Sequence, residues 1–165
     1  MADDNPYRET ENRVRDLVMA EGWSIRGAQS ADAAWVFLAE DAQGKRIVFG
    51  QGKDRPDFIE MQATISVDAT HQAKFDALPP DELDEFLWEL RFGLLSLDTN
   101  FRGVERPFRR VALTLRVYRD ELEAISGLPR ALQRMNKAML VVLWMINRKM
   151  NQPAPPEEVD GITVN

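Results

Sequence analysis

The chain has 165 residues, 44% of them hydrophobic and 29% charged, with a formal net charge of −6, no cysteine and a single histidine, His71. This is the make-up of one globular domain. It excludes thiolate catalysis, disulfide frameworks, iron–sulfur clusters and Cys/His zinc sites, and leaves a Ser-His-Asp triad only if His71 is the base. An acidic chain is repelled overall by phosphate backbones, so broad non-specific nucleic-acid binding is disfavoured. The opening run MADDNPYRETENRVRD carries no apolar signal-peptide core. The longest apolar run, Ala138 to Ile146, has nine residues, against about twenty for a membrane span. The expectation is a soluble, cytoplasmic protein with no cofactor and no metal.

Residues 1–8 read as a frayed start. A helix is predicted from Thr10 to about Glu21, because Val14, Leu17 and Val18 recur at i, i+3, i+4 with charged residues opposite. Gly22 is placed to stop it. Trp23 and Ile25 then lead into a loop of small and polar residues reaching Asp32. Three strands are predicted next. Ala34–Ala39 and Arg46–Gly50 flank DAQGK, whose Asp41 and Gly44 suit a hairpin turn. Asp57–Val67 alternates, with Ile59, Met61, Ala63, Ile65 and Val67 on one face and Glu60, Gln62, Thr64 and Ser66 on the other. Short links between them favour an antiparallel meander.

Leu78-Pro79-Pro80-Asp81 opens a second helix. Proline is tolerated at a helix start, and Asp81, Glu82, Asp84 and Glu85 suit the positive end of its dipole. Leu83, Phe86, Leu87, Leu90, Leu94 and Leu97 form the core stripe, while Trp88, Phe92 and Leu95 lie off it. Thr99–Pro107 is a turn-rich connection with room for a short strand. Phe108–Tyr118 alternates as a further strand. A last helix begins between Asp120 and Pro129, with a break at Gly127–Pro129, and ends near Met150. Its stripe is Leu128, Leu132, Met135, Met139, Val142 and Ile146; Leu140, Leu143, Trp144 and Met145 make it apolar nearly all round. Residues 151–165, with Pro153, Pro155, Pro156, Glu157, Glu158 and Asp160, read as an acidic, Pro-rich tail, mobile or loosely docked. Residues 9–150 are thus one α+β domain. Its antiparallel sheet is a three-stranded meander plus one or two further strands, flanked by three helices.

Several constellations were weighed for chemistry. Gly50-Gln51-Gly52-Lys53 lacks the following helix that a phosphate loop needs and reads as a turn. His71, three residues after Asp68, reads as a surface or capping residue. The carboxylates from Asp81 to Glu85 point to different sides of a helix and answer its dipole rather than a metal. From Arg102 to Arg119 six arginines stand against Glu105 alone. Arg110 and Arg116 share a strand face with Thr114 and Tyr118, and Phe108 is read as a second aromatic there. The sharper signal is the apolar excess. Trp88, Phe92 and Leu95, with Leu140, Trp144 and Met145, exceed what one sheet covers, which predicts a partner surface, most simply a two-fold homodimer.

The helix TENRVRDLVMAEGW, the hairpin AWVFLAEDAQGKRIVFG, the strand DFIEMQATISVD, the helix PDELDEFLWELRFGLLSLD and the strand RRVALTLRVYRD before a last helix are laid out in an order that resembles the type III secretion chaperone-like fold. The likeness is to its YbjN-like and uncharacterised bacterial relatives in particular, over roughly residues 8–150. The resemblance implies a small, acidic homodimer that holds extended segments of other proteins, without catalysis. The Pro-rich tail and the arginine bias depart from that pattern. The functional expectation is a non-catalytic, chaperone-like protein- or peptide-binding module. Its partner-binding residues are expected to be Trp88, Phe92, Leu95, Arg110, Arg116, Tyr118, Trp144 and Met145. The alternative is a nucleic-acid- or nucleotide-binding regulator using the Arg102–Arg119 face.

Overall fold

The structure, a computed structural model, describes residues 6–151. In chain order it contains α1 (Pro6–Ala20), β1 (Ser24–Gly27), β2 (Ala33–Glu40), β3 (Arg46–Gly52), β4 (Phe58–Ser66), α2 (Ala69–Ala77) and α3 (Pro80–Leu95). β5 (Asn100–Arg102), β6 (Arg110–Tyr118), α4 (Arg119–Glu123) and α5 (Gly127–Met150) complete it. The six strands form one sheet in the order β1-β2-β3-β4-β6-β5, with every neighbouring pair antiparallel. The fold is therefore α+β, as composition and periodicity predict.

Alternation along the strands decides which face is covered. Trp35, Phe37 and Ala39 of β2, Ile47 and Phe49 of β3, Ile59, Met61, Ala63 and Ile65 of β4, and Val111, Leu113, Leu115 and Val117 of β6 are all buried. Over them lie α1 against β1 and β2, α5 against β4 and β6, and α3 beside α5 and against β5. The buried stripes of α5 and α3 match the predicted ones, except that Leu97 lies beyond the end of α3 and is half-buried. Buried Trp35 donates its indole N–H to Gln51 (3.0 Å), and the Gln51 amide donates to the Pro56 carbonyl (3.1 Å), so the polar groups in this part of the core are satisfied. Gly22 and Gly44 take positive φ (85° and 79°), as their stop and turn positions require.

The structure corrects four sequence expectations and bears out a fifth, the short strand for which Thr99–Pro107 has room. The first helix begins at Pro6, not Thr10, and the Tyr7 hydroxyl holds its first turn by donating to the Lys53 carbonyl (2.6 Å). The loop predicted after Trp23 contains β1, which is held by backbone pairing to β2 and has one half-buried residue, Ile25, so no alternation announces it. The connection at Thr99–Pro107 does hold a strand, β5, at the sheet edge. The segment around His71 is a helix, α2, with Phe75 as its one buried side chain. Phe75 packs with Phe86 and Phe108 at ring separations of 4.9, 4.9 and 5.4 Å, which takes Phe108 out of the last strand and into the core. Of the expected frayed start 1–8, residues 6–8 are helical and residues 1–5 lie outside the described residues, as do residues 152–165 of the expected acidic tail 151–165.

Gly103 carries the tightest demand of the β5–β6 hairpin. Its φ is +83°, and a Cβ there would lie 2.2 Å from the Arg110 carbonyl oxygen. Gly103→Ala is therefore expected to cost at least about 2 kcal/mol, from left-handed strain plus a clash with backbone that cannot rotate away. Urea unfolding of the variant against the parent chain measures it.

Candidate functional site

Helices α3 and α5 lie side by side and antiparallel. Lys149 donates to Glu82 (3.1 Å), Arg148 stands 4.0 Å from Glu89, and Arg134 stands 3.6 Å from Asp98. Between these levels Gly93 lets the helices close up, since a Cβ there would sit 3.2 Å from the Val141 side chain. Each helix turns its stripe to the sheet, and each has apolar residues left over on the outside. Trp88, Phe92 and Leu95 of α3 are 55%, 63% and 62% exposed, and Trp144 of α5 is 66% exposed. Trp88 and Phe92 stack one turn apart at 5.8 Å. The Arg91 guanidinium lies 4.9 Å from the Trp88 ring and also donates to the Val104 carbonyl (2.7 and 3.0 Å), so Trp88 is held on the surface rather than left free. Met145, expected among the contact residues, is half-buried in the α3–α5 seam instead.

The charges of the two helices are opposite. α3 carries Asp81, Glu82, Asp84, Glu85 and Glu89 against Arg91; α5 carries Arg130, Arg134, Lys137, Arg148 and Lys149 with no acid. The outer surface of the helix layer is thus an apolar centre with an acidic side and a basic side.

The remaining expected residues lie on the opposite, helix-free face of the sheet. Arg116 donates to Glu60 (3.1 Å) and stacks on Phe58 (4.7 Å), whose ring meets Tyr118 edge-on at 5.6 Å. Two more arginines of the basic run are also paired, Arg106 with Asp84 (2.9 Å) and Arg109 with Asp76 (2.9 and 2.8 Å). Arg110 and Arg102 have no acidic partner among the described residues. The same register places both on the open face, because Arg102 pairs with Ala112, two residues along β6 from Arg110. One feature was missed from sequence: Val36 and Leu38 of β2 and Val48 of β3 also face this side, half-buried. The signal was present, since AWVFLA is apolar at both parities rather than alternating. The eight expected residues therefore do not form one site: four lie outside the helix layer, three on the open sheet face, and Met145 between helices.

The other constellations find structural employment. Lys53 donates to the Ala31 carbonyl (2.7 Å), so the Gly50–Lys53 stretch is the end of β3 and a turn. Asp84 and Glu82 serve Arg106 and Lys149, respectively, and among the described residues no three His, Asp or Glu side chains converge as a metal site requires. Asp68 is the N-cap of α2, accepting from the His71 backbone N–H (2.9 Å) and pairing with the His71 ring.

Comparison with known proteins places the chain. A family model described as an uncharacterized conserved protein, DUF2299, matches residues 10–146. The chain belongs to the DUF2299 family. No curated protein matches it. An uncharacterized protein from Methanothermobacter thermautotrophicus has a similar crystal structure, with a TM-score of 0.72 at 21% identity, covering 87% of this chain and 98% of the other. At that identity the likeness is one of fold: the DUF2299 chain shares its architecture.

The backbone hydrogen bond from His71, with the nearby imidazole, holds the Asp68 carboxyl below its ordinary pKa. A depressed folded-state pKa stabilises the protein above the unfolded value, and that stabilisation is lost as pH falls through the folded one. Asp68→Asn keeps a capping oxygen but does not titrate. The variant is expected to melt slightly below the parent near neutral pH and to converge with it below about pH 4, where the parent loses this contribution, as read by circular dichroism melts.

Proposed function

We propose that this DUF2299 protein is a non-catalytic, chaperone-like binding module that works as a homodimer, with the outer face of α3 and α5 as its two-fold seam. One observation carries the reading: four large apolar side chains, Trp88, Phe92, Leu95 and Trp144, stand more than half exposed on two packed helices. Exposed clusters of this kind on a soluble domain mark interaction surfaces, and aromatic anchors dominate such interfaces. Charge favours a second copy as the occupant. A two-fold operation that lays α3 on the partner's α5 brings the aromatic side chains together at the centre and sets an acidic helix against a basic one. Glu82 and Glu89 already pair with Lys149 and Arg148 within the protomer, so the charges left to answer the partner are Asp81 and Glu85 of α3 and Arg130 and Lys137 of α5, which have no ion pair among the described residues. The pairing of Arg106, Arg109 and Arg116 with carboxylates supports a protein partner over a phosphate backbone, because half of the basic run is already neutralised.

Sedimentation across a dilution series tests the reading. The parent chain is expected at two-protomer mass at micromolar concentration. Phe92→Asp and Trp144→Glu are each expected to weaken the dimer by at least about tenfold to a hundredfold with unchanged far-ultraviolet circular dichroism. A parent chain that is monomeric throughout, or variants that dimerise as before, overturns it.

A further inference from the structure

The second unpartnered surface is the open face of the sheet, and its two halves differ in chemistry. On β6 and β5 stand Arg110 and Arg102, without an acidic partner among the described residues. Two to three strands away, Val36, Leu38 and Val48 line the floor of β2 and β3 beside Gly50. There the loop carrying Gln29 and Ser30 walls a cavity of about 440 Å³ over Val36, Val48 and Gly50. The acids on the strands of this face are paired, Glu60 with Arg116 (3.1 Å) and Glu40 with Arg46 (2.9 Å), while Asp32 stands in the cavity lining with no ion pair among the described residues. A segment that fits must be extended, with carboxylates at one end and aliphatic side chains at the other.

The chain carries such a segment. After the prolines it reads Glu157-Glu158-Val159-Asp160-Gly161-Ile162-Thr163-Val164, with acids first and β-branched residues after. Its starting point is also right. The end of α5 is tied to the start of α3 by Lys149–Glu82 (3.1 Å), and the start of α3 is tied to the approach to β6 by Arg106, which donates to the Pro80 carbonyl (2.7 Å) and to Asp84 (2.9 Å). The chain therefore leaves α5 at the end of the sheet where Arg110 stands. Glu158 is seven residues beyond Asn151, a reach of up to roughly 25 Å. That is enough to pass from the helix layer around a sheet end, layers being about 10 Å apart. By the strand register Val48 lies two strands across and four residues along from Arg110, and Val36 three across and six along, separations of roughly 16 and 25 Å. Glu158 to Ile162 and Glu157 to Val164 reach up to roughly 14 and 24 Å extended, and the long Arg and Glu side chains close the remainder.

We propose that residues 157–164 dock on the open sheet face of their own chain, Glu157, Glu158 and Asp160 answering Arg102 and Arg110, and Ile162 and Val164 lying over Val36, Leu38 and Val48. Tethering holds the segment at a local concentration on the order of millimolar, so modest contacts suffice. The open face is then a site for acidic-to-aliphatic extended segments that the tail occupies in the resting chain. This surface is opposite the proposed dimer seam and does not depend on it.

The absence of cysteine allows a single spin label to be placed through Asn165→Cys in the full chain. Loss of the backbone amide signals of Leu38 and Val48 is expected, with Trp88 and Trp144 unaffected. Arg102→Glu with Arg110→Glu is expected to restore the signals, and adding Glu157→Lys with Glu158→Lys to that pair to lose them again, a charge swap that general damage to the fold does not reproduce. The same losses are expected in Trp144→Glu, which separates this test from that of the dimer. No signal loss on the sheet, loss at the helix face instead, or loss seen only when labelled chains are mixed with unlabelled isotopic ones overturns the proposal.

Discussion

One-sided burial of a six-stranded antiparallel sheet is the constraint on which this molecule is built. Alternate residues of β2, β3, β4 and β6 send aromatic and aliphatic side chains to one face, and α1, α5 and α3 together cover it. At roughly 25 cal/mol per Å² of apolar surface, this burial is the dominant favourable contribution to folding. The remaining features follow from it. Among the described residues no helix covers the second face of the sheet. The helices, fixed by their inner stripes, must present whatever else their sequences carry to the outside.

Those two leftover surfaces differ in kind. The helix side is aromatic, flanked by a basic helix and an acidic one whose mutual ion pairs, Lys149–Glu82 and Arg148–Glu89, hold the antiparallel packing in register. Such partly exposed pairs contribute little stability each, so their importance lies in orientation. The sheet side is mixed, with an ion-paired centre at Arg116 and Glu60, two arginines that lack an acidic partner among the described residues at one edge, and aliphatic side chains at the other.

Buried polar groups reinforce the same economy. Gln51 is almost fully buried, yet it bridges the Trp35 indole to the Pro56 carbonyl, joining β2, β3 and the β3–β4 turn. Stacked Trp35, Phe37 and Phe49, at 5.7 and 5.2 Å, fix the same corner, and the Arg15 guanidinium of α1 lies 4.7 Å from the Phe37 ring. Burial of a tryptophan N–H is tolerated because its partner is built in.

Long periodic segments were legible from sequence because each carries its own environment in its pattern. The stripes of α3 and α5, the alternation of β4 and β6, the hairpin turn at Gly44 and the apolar surplus of Trp88, Phe92 and Trp144 all read directly, since 3.6- and 2-residue periods report a face without reference to a partner. Elements held from outside were not legible. β1 exists through backbone bonds to β2, and α2 is held by one buried ring, Phe75 against Phe86 and Phe108, with the Asp68 cap and the Asp76–Arg109 pair at its ends, so neither has a periodicity to detect. Only the tertiary structure decided that β6 pairs with β4 and leaves β5 at the edge, that Met145 turns into the helix seam, and that Arg102 and Arg110 stand together on the face opposite the tryptophans. Strand order and the side to which a residue is carried depend on contacts between segments far apart in the chain, and local pattern holds no record of them.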